Sequence, residues 1–167
     1  MLNLEQIKAI QAHQHYPSVT ITLPTYRTAP DNHKDPIRLK NLVQDAISRL
    51  QEEFGKRDSA DLVATIEALA DAVDHEHNLD GLVIFANQDY AESFKLPYRL
   101  PERVAIDDNF LTRDLVFAMN RTPLYWVTLL SETDTRLFLA SKNNVHEVKA
   151  FGFPYSVSGA QANANPS

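Results

Sequence analysis

The chain has 167 residues, 44% of them hydrophobic, with a net charge of −6 and no cysteine. That length holds one ordinary domain, or one small domain plus part of another, with enough apolar content for a packed core. The absence of thiols excludes disulfides, thiolate metal sites and cysteine nucleophiles and suits a reducing cytoplasm; the negative total argues against broad attraction to nucleic acid but leaves room for a local basic patch.

Leu4, Ile7 and Ile10 recur at helical spacing, so residues 1–15 are expected to hold a short amphipathic helix ending at Tyr16-Pro17. The segment has no basic stretch followed by a continuous apolar run, so it does not read as a signal peptide, and no run approaches the ~18 apolar residues of a membrane span. Val19, Ile21 and Leu23 alternate with Ser18, Thr20 and Thr22, a β-branched strand closed by Pro24. Asp35-Pro36 offers a side-chain cap and a first-turn proline, and Leu39, Leu42, Val43, Ala46, Ile47, Leu50 and Phe54 follow the helical period.

Gly55 is expected to break that helix, with Asp58 or Ser59 capping a second one along Leu62, Ile66, Leu69 and Val73. Leu82–Ala86 is a short, wholly apolar run expected to be a buried central strand, and two weaker strands surround "SFKLP" and "RVAI". The first unit, residues 16–106, therefore reads β-α-α-β-β-β. A helix across Phe110–Met119 and a three-strand meander, "LYWVTLL", "TRLFLA" and "VHEV", make a second unit over 107–151. Residues 152–167 are small and polar and read as a flexible tail. The fold class is α/β.

The meander reads as incomplete. Trp126, Thr128 and Leu130 share one face with Leu124, while Tyr125, Val127 and Leu129 share the other. A sheet that is apolar on both faces needs cover on each, and one helix cannot supply it. The chain is therefore expected to be a fragment whose missing C-terminal domains cover the 124–149 sheet, or to cover it with a partner such as a second copy.

The main candidate for chemistry is a basic strand-to-helix turn bearing Tyr26, Arg27, Lys34, Arg38 and Lys40. Cations beside a helix N-terminus, with its free N–H groups, make an anion site, and Tyr26 adds a stacking surface for a base. The competing reading is a solvated loop in which Arg27 or Arg38 pairs with Asp31 or Asp35. His75 and His77 in "DHEH", like His13 and His15, are two apart and point away from each other on a helix, so they read as polar surface and no metal is expected. No glycine-rich phosphate loop or nucleophile elbow is present, and no cofactor is indicated.

The ordered stretches "PSVTITLPTYR", "DPIRLKNLVQDAISRL", "LDGLVIFAN" and "LYWVTLLSETDTRLFLAS" resemble archaeal and eukaryotic class-one peptide-chain release factors. They are closer still to the bacterial archaeo-eukaryotic release factor-like family. The resemblance implies a first α/β domain followed by the start of an RNase H-like central domain, in a cytoplasmic, translation-associated protein that binds the ribosome or tRNA. The stop-codon-reading Asn-Ile-Lys-Ser loop has no counterpart in the connector "EEFGKRDSAD", so decoding is not expected. Where those factors carry Gly-Gly-Gln for peptidyl-tRNA hydrolysis, this chain has Gly159-Ala160-Gln161, which makes Gln161 a speculative catalytic residue. "LYWVTLL" contains no carboxylate, which argues against two-metal nuclease chemistry. Two expectations follow: ribosome or tRNA binding through the basic turn, or protein assembly through the apolar meander.

Overall fold

The computed structural model describes residues 2–120, 125–131, 133–141 and 144–156. The chain divides into two compact units, Met1–Met119 and Asn120–Ser167. The chain has the mixed α/β fold class expected from the sequence, and among the described residues every strand pair is antiparallel.

The first unit begins with helix α1, Leu4–Ala12. Asn3 accepts a hydrogen bond from the Gln6 backbone at 2.8 Å while the Gln6 side chain accepts from the Asn3 backbone at 3.0 Å, a reciprocal cap that satisfies two otherwise free N–H groups. Strand β1, Gln14–Pro24, follows. It therefore starts before Tyr16-Pro17, inside the stretch expected to be helical. A short 3-10 turn, Asp31–Lys34, leads into α2, Asp35–Asp58. Gly55 leaves helical geometry at φ +79°, which breaks the helix where the sequence placed the break, and α3, Ala60–Asp71, doubles back. Strands β2 (Gly81–Ala86), β3 (Ala91–Leu96) and β4 (Arg103–Asn109) complete a sheet of order β3-β2-β1-β4.

Both faces of this sheet are covered. Val19, Ile21 and Leu23 of β1 and Leu82 and Ile84 of β2 pack with Leu39, Val43, Ile47, Leu50 and Ile66 of the α2–α3 hairpin. Val83 and Phe85 point the other way, into a second cluster with Ile7 and Ile10 of α1 and with Phe110 and Leu115. Leu115 lies on α4, Arg113–Asn120. The hydroxyl face of β1 is therefore buried as well, and its polar groups find partners: Thr20 Oγ1 accepts from the Leu111 backbone at 3.0 Å and Thr22 Oγ1 donates to Pro101 O at 2.7 Å.

This second cluster corrects two boundaries. The domain limit expected near Ile106 falls after Met119, because Phe110 and Leu115 fill the first unit's core. The N-terminal helix is likewise a part of that core and not a separate segment.

In the second unit, β5 (Tyr125–Leu130), β6 (Asp134–Ser141) and β7 (Asn144–Glu147) form the expected meander. Strand β8, Tyr155–Ser156, pairs with Asp134 and Thr135 on the edge of β6 away from β5. The stretch expected to be a tail from 152 is thus ordered as far as β8, and residues 157–167 lie outside the described residues. All six residues of β5 are exposed, on both faces; Trp126 is 60% and Leu130 76% accessible. Among the described residues β5 pairs only with β6, so its other edge is open.

Candidate functional site

The basic turn between β1 and α2 is built around one completely buried carboxylate. Asp35 Oδ2 accepts the backbone N–H of Tyr26 at 2.8 Å and the Asn78 amide at 2.9 Å, and its Oδ1 lies 3.6 Å from Arg38 Nη1. Asp35 was expected to cap its own helix. It is instead the first residue of α2, after the 3-10 turn, and its side chain reaches back to tie the end of β1 to the segment before β2. Thr25 reinforces that tie, donating its N–H to Asp80 O at 3.1 Å and its hydroxyl to Leu79 O at 2.8 Å.

Arg27 and Arg38 are both engaged by carboxylates. Arg27 grips Asp80 with two hydrogen bonds, Nε to Oδ1 at 3.1 Å and Nη2 to Oδ2 at 2.8 Å, and this contact holds its pKa above the usual value. Arg38 donates Nη2 to Glu102 at 2.7 Å and Nη1 to Pro24 O at 3.0 Å. Asp80 precedes β2 and Glu102 precedes β4, the two strands that flank β1. The arginines are therefore drawn to opposite sides of the central strand. Tyr26 stacks under the Arg99 guanidinium, 4.8 Å from its ring centre.

Lys34 and Lys40 differ from the arginines. Both are exposed and form no ion pair among the described residues. Lys34 sits at the N-cap of α2, whose first residue, Asp35, donates its N–H to Asn32 O and whose second is Pro36. Lys40 lies nearly two turns further on and lines a groove of about 570 Å³ between α2 and α3. Of the five expected anion ligands, the structure thus sets two in ion pairs, one under Arg99, and two free on the surface.

Gln161, with Gly159 and Ala160, lies outside the described residues. The histidines do not converge. His77 Nδ1 pairs with Asp74 at 2.7 Å, and His13 stacks on Tyr90 at 4.7 Å. His75, half-buried, faces Asn78 at 3.5 Å, and burial holds its pKa below the ordinary 6.5. Among the described residues no group of three or more His, Asp or Glu could hold a metal ion, and no helix is long and apolar enough to cross a membrane.

Sequence reasoning missed Asp80, Glu102 and Asn78 as partners of the turn. Asp80 and Glu102 each sit just ahead of a strand, where a charged residue reads as ordinary turn chemistry. Only the strand order brings them beside Arg27 and Arg38.

No family model matches the chain, and no curated protein matches it. Among solved structures, the chain is similar to one described as an archaeal protein, at 13% identity and a TM-score of 0.49. That match covers 89% of this chain and 45% of the other, so the chain spans less than half the length of that structure.

Proposed function

We propose that this chain is an assembly module whose apolar meander takes a protein partner, the simplest partner being a second copy. The observation that carries this reading is β5: an edge strand, "YWVTLL", exposed along its whole length and without one charged residue. Edge strands of solitary proteins are usually blunted by lysine, proline or a bulge, and none of these interrupts β5 or its regular register with β6. A two-fold axis through Thr128 would place Trp126 opposite Leu130 and Val127 opposite Leu129, pairs that stabilise antiparallel ladders and meet no like charges. Analytical ultracentrifugation over a concentration series is expected to give a reversible dimer that Leu129→Lys abolishes. A strict monomer for the unsubstituted chain at every concentration would end this reading.

A second reading keeps the resemblance to release factors, as a ribosome- or tRNA-binding protein without stop-codon decoding. What favours it is Lys34, at the N-terminus of a long helix and in no ion pair among the described residues, with Lys40 nearly two turns beyond. The expected result is salt-sensitive co-sedimentation with ribosomes that Lys34→Ala/Lys40→Ala reduces several-fold, because each lost phosphate contact flattens the salt dependence. Binding that the double variant leaves unchanged would remove the turn from the interface.

A further inference from the structure

The kinked end of the α2–α3 hairpin holds a cleft of about 510 Å³ that neither reading uses. Its walls are Leu50 and Phe54 of α2 and Leu62 of α3, with Tyr16 of β1 beside them; the Tyr16 and Phe54 rings are 5.6 Å apart at 55°. Asp58 and Asp61 stand in the same lining, exposed, and neither forms an ion pair among the described residues. No lysine or arginine lines the cleft. The negative field extends past the two aspartates: Tyr16 donates its hydroxyl to Glu53 and lies within the influence of Asp107 and Asp108. His15 adds a ring nitrogen, Nδ1, that is buried and has no hydrogen-bond partner among the described residues.

These features fit one ligand chemistry. Aromatic faces attract cations through their quadrupole and also cover methylene chains. Two carboxylates on either side of Ser59, where α2 gives way to α3, form no ion pair among the described residues and offer separate anchors for two positive charges. A cleft of this volume lies in the range that encloses small molecules. A hydrated metal ion would gain little from the apolar walls, and an anion would be repelled.

We propose that this cleft binds a linear alkyl diamine or polyamine, its methylenes against Tyr16, Phe54 and Leu62 and its ammonium groups on Asp58 and Asp61. The cation is held by charge at both ends and by apolar contact between them, so neither a neutral chain nor a bare cation meets the whole site.

The test is an NMR titration of the full chain with spermidine, followed on the backbone amides of residues 15–17, 54–65 and 87–88. Parallel titrations use 1,8-octanediol, a neutral chain of similar length, and magnesium chloride, a divalent charge without methylenes. Saturable shifts confined to those residues with spermidine alone are expected. Asp58→Asn/Asp61→Asn should weaken binding at least about tenfold, the equivalent of one lost charge contact. Both side chains are exposed, and an unchanged melting temperature verifies that the variant is folded. Phe54→Leu, which keeps apolar bulk and removes the ring, should weaken binding about threefold. No saturable shift with spermidine overturns the proposal. So does equal binding by the double aspartate variant, or magnesium shifting the same amides to the same extent.

Discussion

Asp35 shows how much one buried side chain can carry. It neutralises part of Arg38, accepts the Tyr26 N–H and holds the Asn78 amide, so the end of β1, the start of α2 and the approach to β2 meet at one carboxylate. Replacing it with alanine leaves the Tyr26 N–H buried without an acceptor and takes from the Asn78 amide its shorter hydrogen bond. Asp35→Ala is therefore expected to cost about 3–5 kcal/mol in urea unfolding. A loss below about 1 kcal/mol would show that water replaces the carboxylate at no expense. The residue types of this turn were legible in the sequence, as was the Arg38–Asp35 pair of the salt-bridged reading, but the other roles were not. Arg27 and Asp80 are 53 positions apart, and nothing local marks them as a pair. Tyr26, read as a platform for a base, lies under Arg99, whose approach depends on the chain's course between β3 and β4.

Elements were more legible than residues. Alternation identified β1, the wholly apolar run identified β2, and the helical period identified the α2–α3 hairpin, because each pattern reports directly which side chains leave water. What periodicity does not report is the surface that receives them. The α4 stripe reads equally well against either sheet, and its place in the first core emerges only from the contact of Leu115 with that cluster. Gly81, which opens β2, marks another point that periodicity misses. A methyl group there would collide with the backbone carbonyl of Tyr98, a residue of the second core, while meeting Leu100 only at ordinary contact distance. Gly81→Ala is expected to destabilise the protein by about 1–3 kcal/mol, read from chemical unfolding. Gly55→Ala meets open space, so any loss there comes from its left-handed backbone alone. A Gly81→Ala variant as stable as the parent would mean that the Tyr98 segment yields freely.

For the whole molecule, the two units differ in how well they close their own cores. Met1–Met119 contains every residue of both hydrophobic clusters. It is expected to fold alone: residues 1–119 should unfold in one cooperative transition by circular dichroism and calorimetry. A broad, gradual melt would show that this unit depends on the rest of the chain. The second unit gathers most of the large exposed apolar side chains, from Tyr125 to Tyr155. Its two-faced apolar pattern was legible in the sequence, since every other residue of "YWVTLL" on each side is large or β-branched.

The order β3-β2-β1-β4 also has a consequence for biosynthesis. The central strand is made first, and both neighbours arrive late: β2 begins at Gly81, 57 residues after β1 ends at Pro24, since 81 − 24 = 57. At a translation rate of about 5–20 residues per second, β1 leaves the ribosome roughly 3–11 s before its first hydrogen-bonding partner in the sheet. What emerges in that interval is the α2–α3 hairpin, whose contacts are local and form quickly. The hairpin thus shields Val19, Ile21 and Leu23 while the nascent chain waits, and the sheet is assembled beneath a roof already in place.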